Sequence, residues 1–592
     1  MLFISSNAWH TNENLSLLLF LGQKFDELFF DYTLDSYKPP ALNPSFICRE
    51  ALSLINDIES EVIDRNNLTF VLEELDFSLR NDIIVKNLLT SEIEKFVLKD
   101  ENVRLSDLKL RLEVLEKVLN PLNYFTLCCE LLLNEISDNK GSKKTINQLA
   151  TLLASLLINM GISKQHIYEK TKEFFFSERE IKDVEEVQDF FQSISPTHHH
   201  FEIFFLVSKD ILTIKNSVDQ FDIEIIDDLP HKFSQLAELK KLKKGKSEVW
   251  VRIDDIETFD RHSARRLAEN TLEIMSDLFS LYSHKKKIIW RSKAIITQCC
   301  ENIDKVISKA KSPMDKCIDV RPHTASKKLN YFLENISLKK DSFKKLNRVI
   351  DLHSTALASD LAENQLINIW IAIETIVPSS INGGGKVKKI CNALEPILLK
   401  EYISRLLQNL IRDLLKWGRS NLTDILKEID NYKDKKINQL VLELMALDKY
   451  KPLRNTLYQN LGNFHLLRYR CFELSEILKN PKNVLAKISL HEKKVSWQLR
   501  RIYRTRNLIV HSGRSLPYID TLIENSHDYL DQTINAVVKY SGGYLNADTL
   551  EQVFEMAKLD YESFSKELKL ISSFDENNIL IRPLAKVKTT SI

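Results

Sequence analysis

The residues of this chain whose types and spacing best suit chemistry lie near its C-terminal end, in the stretch Arg506-Asn-Leu-Ile-Val-His511. Histidine titrates near neutral pH and can move a proton, and arginine can hold a phosphate and stabilise its developing charge. An amide, Asn507, stands beside the arginine. This set suits cleavage of RNA by attack of a ribose 2′-hydroxyl on the adjacent phosphate, a reaction that requires no metal ion or other cofactor.

The element that must position this stretch is an amphipathic helix. Its apolar stripe consists of Val495, Leu499, Ile502 and Ile509. Continuing that stripe places Arg506 toward the core, and Ser512-Gly513 supplies the glycine with which helices commonly end. Asn507 and His511 share a helix face. Arg506 stands about 140° round the helix from His511, so their convergence depends on the reach of the arginine and on the helix end.

A second charge that does not fit its surroundings is Glu374. The segment from Leu366 to Val377 is apolar nearly all round, as expected of a helix at the centre of a bundle, and Glu374 falls on its stripe. A charge buried without a partner is strongly destabilising. We therefore predict a partly buried ion pair between Glu374 and Arg506.

The R-x4-H spacing is weak evidence alone, because a second copy exists at Arg348-Val-Ile-Asp-Leu-His353. A chance occurrence on the order of one is expected in a chain of this length. The simplest interpretation of the second copy is a surface arginine and a packing histidine, with a second RNA contact as the alternative. On the motif helix, further cations form a predicted basic surface, namely Lys493, Lys494, Arg500, Arg501 and Arg504.

Two segments resemble a known family. Arg504-Thr-Arg-Asn-Leu-Ile-Val-His-Ser-Gly513 closely resembles the R-N-x-x-x-H signature of HEPN domains, especially the ApeA-like group of prokaryotic defence proteins. Ile369-Trp-Ile-Ala-Ile-Glu-Thr-Ile-Val-Pro378 resembles the first core helix of that group. The resemblance covers roughly residues 340 to 545 and leaves the N-terminal half unassigned.

The resemblance implies a helical bundle that forms a homodimer or higher homo-oligomer, in which two R-x4-H motifs face each other across a composite cleft. The function implied is that of a metal-independent endoribonuclease acting on tRNA or mRNA, in antiphage defence (abortive infection) or as a toxin. The residues to which it assigns catalytic or supporting roles are Arg506, His511, Asn507 and Glu374. Because the segment before the motif helix is longer than in a minimal bundle of this family, we expect extra helices between Lys400 and Lys479.

Other function classes stay open. The chain is alternatively a non-catalytic scaffold whose HEPN domain only dimerises or holds RNA, under control of the N-terminal region. A further possibility is that the N-terminal half carries the main activity, as a sensor regulated by a partner. A phage-derived or host protein is the kind of trigger that either arrangement would use.

Length and composition predict a mainly α protein. A chain of 592 residues exceeds one hydrophobic core, and only 12 glycines and 14 prolines interrupt it, which favours long helices. We predict a helical N-terminal region, sensory or regulatory, over residues 1–197, a small α+β module over 198–324, and the HEPN helical domain over 325–592. Within the module, strands are predicted at 201–207, 221–226, 250–254 and 287–290, with a helix from about Arg261 to Tyr282.

The net charge of +1 excludes a global basic field, so any RNA site must be a local patch. The loop Lys240–Lys246 is one exposed candidate. Gly383-Gly-Gly-Lys386 lacks the spacing of a phosphate-binding loop and is interpreted as a flexible helix connection, with Lys386, Lys388 and Lys389 as contacts to the RNA backbone. His198-His-His200 is not expected to bind a metal, because consecutive side chains point in different directions.

The eight cysteines include no CxxC pair, which indicates reduced, mostly buried thiols. The N-terminus lacks a basic leader, and the apolar run Leu15–Leu21 is far shorter than the roughly 20 residues of a membrane span. We therefore predict a cytoplasmic protein without membrane association.

Overall fold

The computed structural model describes residues 13–61, 65–99, 103–138, 141–177, 181–298, 303–316, 320–514, 516–543, 545–579 and 584. These residues form two compact units. The first combines the described residues up to Leu152 and 181–184 with those from Ser312 onward, and the second combines those of 153–177 and 185–311. The grouping differs from the predicted regions 1–197, 198–324 and 325–592, because the described residues up to Leu152 pack with the C-terminal helices.

The N-terminal part of the first unit is helical, as predicted. Its helices are α1 (Ser16–Phe29), α2 (Pro44–Glu59), α3 (Asn66–Arg80), α4 (Ile83–Leu88), α5 (Leu105–Val118), α6 (Pro121–Ser137) and α7 (Lys143–Met160), the last of which continues into the second unit. The apolar run Leu15–Leu21 leads into a core helix, where Phe20 and Phe25 are fully buried. None of the helices in the described ranges combines the length and apolar character that crossing a membrane requires.

The second unit contains the small α+β module. Its elements are α8 (Lys164–Phe175), α9 (Val187–Ser193), β1 (His199–Ser208), α10 (Lys215–Val218), β2 (Ile223–Ile226), α11 (His231–Leu239), β3 (Glu248–Thr258), α12 (Arg261–Ser280), β4 (Trp290–Gln298) and β5 (Ile303–Ser308). The strands form one antiparallel sheet in the order β2-β3-β1-β4-β5. The predicted fold class, mainly α with a central α+β module, is therefore confirmed.

Alternation along β1 sends side chains to both faces of this sheet. Phe205 lies in a core cluster with Leu272 of α12, whereas Phe204 packs with Phe233 of α11 on the opposite face. The predicted strand at 287–290 is wrong, because β4 begins only at Trp290. Trp290 pairs with Val207 near the end of β1, and the residues before it have no partner on β1 in the register of the two strands. Helix α11 and strand β5 were not predicted.

The remaining helices of the first unit follow the sheet in sequence. They are α13 (Pro322–Asn335), α14 (Lys340–Ala358), α15 (Ala362–Ile376), α16 (Lys386–Lys400), α17 (Tyr402–Lys427), α18 (Ile437–Ala446), α19 (Lys451–Asn460), α20 (His465–Leu478), α21 (Pro481–Ser512), α22 (Ile519–Ser541) and α23 (Leu550–Leu570). The extra helices expected between Lys400 and Lys479 are present as α17 to α20. The backbone of α17 is kinked at Gly418, which has non-helical dihedral angles.

A buried ionic cluster joins the N-terminal helices to α21. Nη2 of Arg501 lies 2.8 Å from the carboxylate of Glu50 on α2 and 2.6 Å from that of Glu74 on α3. Arg504 contacts the second oxygen of Glu50 at 2.8 Å, and only 2% of the Arg501 side chain is exposed. Burial alone would raise the pKa of Glu50, but the two guanidinium groups outweigh it and lower that pKa to about 2.

A second cluster of the same kind joins α1 to α20. Arg470 is paired with Glu27, which also lies 3.0 Å from Lys24, and all three side chains are buried. The amide of Gln23 donates to the carbonyl of Asn463 and accepts from the backbone N–H of Leu466 at the start of α20, both at 2.9 Å. The N-terminal helices are thus part of the interior of this unit.

We predict that Glu50→Gln lowers the free energy of unfolding at pH 7 by about 3 kcal/mol, because the pKa of Glu50 falls from 4.5 to about 2 on folding. A depressed carboxyl pKa gives stability that is present above the unfolded pKa and lost as the pH falls toward the folded one. The gap between wild type and variant should therefore narrow by about half between pH 5 and pH 3. Urea unfolding at each pH, followed by tryptophan fluorescence, measures the free energy of unfolding of both proteins. Trp497 on α21 is a suitable probe because it packs against Phe77 of α3.

The matched control is Glu116→Gln. Glu116 pairs with Arg49 at 2.8 Å, but both side chains are about one-third exposed or more, so this change should cost less than about 1 kcal/mol. Equal losses for the two variants would contradict a stabilising role of the buried cluster.

Candidate functional site

The motif helix α21 forms where the sequence predicts it. The side chain of Asn480 accepts from the backbone N–H of Asn483 and caps its first turn, which begins with Pro481. The predicted stripe is buried, as expected, at Val495, Leu499, Ile502 and Ile509. Gly513 ends the helix with φ of 63°, a conformation that favours glycine, and its N–H donates to the carbonyl of Ile509 at 3.0 Å.

Arg506 and Asn507 are in direct contact near this end of the helix. Nη1 of Arg506 donates to Oδ1 of Asn507 at 3.0 Å, and both side chains are half-buried. The Nε of Arg506 is buried and has no hydrogen-bond partner among the described residues. A buried N–H group without an acceptor is costly, and Nε of Arg500 and Nε of Arg504 on the same helix share this condition.

His511 lies in the last turn of α21, on the surface. Its side chain is exposed and makes no hydrogen bond or ion pair with any part of the chain that the structure describes. Val510 beside it is 47% exposed. Within one chain, therefore, no hydrogen bond joins the described side chains of His511 and Arg506.

The predicted ion pair between Glu374 and Arg506 is wrong. The Glu374 carboxylate accepts from the indole N–H of Trp370 at 2.6 Å and lies 3.0 Å from Nζ of Lys386, the first residue of α16. Trp370 stands one turn earlier on the same helix, so its N–H reaches the carboxylate without crossing between helices. The side chain of Glu374 is 16% exposed and that of Lys386 is 59% exposed.

Glu374 nevertheless belongs to the surroundings of α21. The fully buried ring of Trp370 packs against Tyr503 of α21, with ring centroids 5.7 Å apart. Helices α15 and α21 are therefore in contact one turn before Arg506 and Asn507. Lys386 forms an ion pair with Glu374 that leaves most of its side chain exposed, and its contact with RNA stays a prediction.

The predicted basic surface on α21 is largely wrong. Arg501 and Arg504 are buried against Glu50 and Glu74, and the guanidinium of Arg500 lies 3.4 Å from the centre of the Phe70 ring. These three arginines pack against the N-terminal helices because those helices cover this face of α21. Among the described lysines and arginines of α21, the exposed ones are Lys482 in the first turn and Lys493 and Lys494 in the middle, and Arg514 just past the helix end is exposed as well.

The second R-x4-H copy lies in α14 and has the opposite exposure. Arg348 is exposed, as predicted, and His353 is half-buried with its Nε2 2.9 Å from Nε2 of His527 on α22. Asp531, one turn after His527, completes this cluster. The i,i+4 spacing of His527 and Asp531 can be read from the sequence, but the proximity of His353 to this pair cannot, because His353 lies on a different helix.

The other predicted features behave as ordinary surface elements. His198 and His200 lie 3.0 Å from Glu257 and Asp255, two separate carboxylates, so the two side chains do not converge. The lysines of the loop 240–246 are exposed, and the loop 383–385 connects α15 to α16. The described cysteines are free thiols, of which Cys48, Cys128, Cys391 and Cys471 are buried. Cys299, Cys300 and Cys317 lie outside the described residues.

No protein-family model, curated protein or solved structure matches this chain. The resemblance of roughly residues 340 to 545 to HEPN domains therefore rests on the motif residues themselves. The function has to be inferred from the end of α21 and the groups around it.

Proposed function

We propose that the protein is a cytoplasmic, metal-independent endoribonuclease of the HEPN type that cuts RNA at the C-terminal end of α21. The observation that carries this proposal is the arrangement of three side chains there. A half-buried guanidinium, at Arg506, is held by the amide of Asn507, and an exposed imidazole, at His511, stands in the last turn. Charge stabilisation and proton transfer are what the reaction needs from a protein.

In the proposed reaction the ribose 2′-oxygen attacks the adjacent phosphorus, and the bond from phosphorus to the 5′-oxygen breaks. One base removes the proton of the 2′-hydroxyl and one acid donates a proton to the departing 5′-oxygen. The products are a 2′,3′-cyclic phosphate and a 5′-hydroxyl. His511 moves a proton, Arg506 stabilises the charge on the phosphate oxygens, and Asn507 orients the guanidinium.

We propose that two copies of the chain supply one cleft. In a single chain no hydrogen bond joins the described side chains of His511 and Arg506, and the two positions differ by about 140° around the helix. A facing copy would place the imidazole of one chain near the guanidinium of the other and would provide both an acid and a base. The exposed apolar side chain of Val510 gives this end of the helix a group to bury against the second copy.

The proposed setting is antiphage defence or a toxin, with tRNA or mRNA as the substrate. The N-terminal helices are then the regulatory part. Because Glu50 and Glu74 contact Arg501 and Arg504 on the motif helix itself, a phage-derived or host protein that displaces α2 or α3 would alter the position of the site.

We expect purified protein to cut RNA in the presence of EDTA and to leave 2′,3′-cyclic phosphate ends. Arg506→Ala and His511→Ala should each lower the cleavage rate by about 10²- to 10⁴-fold, the range typical of lost acid–base or charge-stabilising groups. Sequencing of RNA ends, in cells and with purified protein, measures both rate and position.

The matched control is Arg348→Ala, which removes the exposed arginine of the second R-x4-H copy and should leave the cleavage rate unchanged. Full cleavage by the Arg506→Ala, His511→Ala double variant would overturn the proposal. RNA that stays bound and uncut under every condition, phage infection included, would favour the non-catalytic scaffold.

We assign Glu374 a positioning role, through Lys386 at the start of α16. Glu374→Gln should reduce cleavage by about 10- to 100-fold, as expected for a small displacement of a substrate-orienting group. In the Lys386→Ala background the same change should have little further effect, because the two residues act as a pair. Glu363→Gln on the same helix is the control. Additive losses from Glu374→Gln and Lys386→Ala would contradict this role.

A further inference from the structure

Three potential metal ligands from two helices converge in the first unit, apart from the residues proposed for RNA cleavage. His353 lies on α14, and His527 and Asp531 lie one turn apart on α22. The two Nε2 atoms are 2.9 Å apart. Oδ1 of Asp531 lies 3.9 Å from Nε2 of His353, and Oδ2 of Asp531 lies 3.7 Å from Nε2 of His527.

These separations fit three ligands around one small ion. With bonds of about 2.0 to 2.1 Å, two ligands of a tetrahedral zinc ion stand about 3.3 Å apart. The observed distances of 2.9, 3.7 and 3.9 Å fall on both sides of that value. Side-chain rotations that move the ligand atoms by less than about 1 Å would bring the three separations to the tetrahedral value.

The cluster is buried on one side and open to solvent on the other. The side chain of His527 is 5% exposed, that of His353 is 23% exposed and that of Asp531 is 43% exposed. One side of the cluster is therefore closed by protein, while the carboxylate side opens to solvent. An ion could enter there and keep a water molecule as its fourth ligand.

We propose that His353, His527 and Asp531 bind one transition-metal ion of the zinc class. Two imidazoles with one carboxylate favour Zn²⁺ or Co²⁺ over Ca²⁺ or Mg²⁺, which take oxygen ligands almost exclusively. The neighbouring carboxylate of Asp528 is not a ligand, because Arg405 contacts its two oxygens at 2.9 and 3.0 Å.

The bound ion would cross-link α14 to α22, two helices that are distant in sequence. Metal bound by the folded chain and not by the unfolded one stabilises the fold, and this site would do so without a residue of the Arg506 and His511 motif. It gives His353, the histidine of the second R-x4-H copy, a role that the spacing of that copy does not reveal.

The test is a titration of the full-length, chelator-stripped protein with Zn²⁺ against a chromogenic chelator. We expect one ion per chain to be lost in His353→Gln, and its affinity to fall by more than about 100-fold in Asp531→Asn, beyond the loss typical of an outer-shell partner. The control is the double variant His198→Gln, His200→Gln, which should bind the ion as wild type does. Each variant is checked by circular dichroism.

A second measurement requires no variant. Co²⁺ bound to the wild-type chain should give the intense visible bands of four-coordinate cobalt without the sulfur charge-transfer band that a cysteine ligand produces. The proposal would be overturned by a sulfur charge-transfer band. It would also be overturned if His353→Gln and Asp531→Asn both left the affinity for Zn²⁺ unchanged, or if binding were lost only in the His198→Gln, His200→Gln double variant. Failure of the wild-type chain to bind Zn²⁺ would overturn it as well and would leave a hydrogen-bonded histidine pair.

Discussion

Arg501 and Arg504 enter the interior of the first unit on one side of α21, and a guanidinium there is stable only beside carboxylates. Glu50 and Glu74 supply them from α2 and α3. Because the four groups carry two positive and two negative charges, removal of any one leaves a buried charge in excess. The position of the N-terminal helices on α21 is therefore fixed by charge as well as by apolar packing, and the Arg470–Glu27 pair fixes α1 on α20 in the same way.

This constraint bears on the candidate site through the two halves of α21. One face of the stretch up to Arg504 is covered by protein, which restrains this part of the helix, whereas the last turn lies at the surface with His511 exposed. A catalytic group on a firmly held helix keeps its geometry better than one on a loop. In the described ion pairs, Glu50 and Glu74 are the carboxylates that contact Arg501 and Arg504. A movement of the N-terminal helices would therefore act directly on α21.

Local patterns predicted much of this fold. The apolar stripe of α21, the glycine that ends it and the strands around Phe204 and Trp250 all depend on neighbours within a few residues, and each was found. Pairings between distant segments were not predictable in the same way. The misfit of a charge on an apolar stripe correctly marked Glu374 as partly buried, but the pattern does not name the partner. The same rule applied to Arg501, which lies next to the stripe residue Ile502, would have called for a carboxylate, yet only the fold brings Glu50 and Glu74 to it.

The two R-x4-H copies show why spacing alone is so uninformative. Five residues along a helix turn the chain by about 140°, so when one member of the pair faces protein the other tends to face solvent. In the middle of α14 the arginine is exposed and His353 packs against His527, whereas in α21 Arg506 is half-buried and His511 is exposed. Of the two copies, only the one in α21 lies at the end of its helix, which stops at Ser512, whereas α14 continues to Ala358. RNA cleavage is therefore proposed for the copy in α21, and ion binding for His353 of the copy in α14.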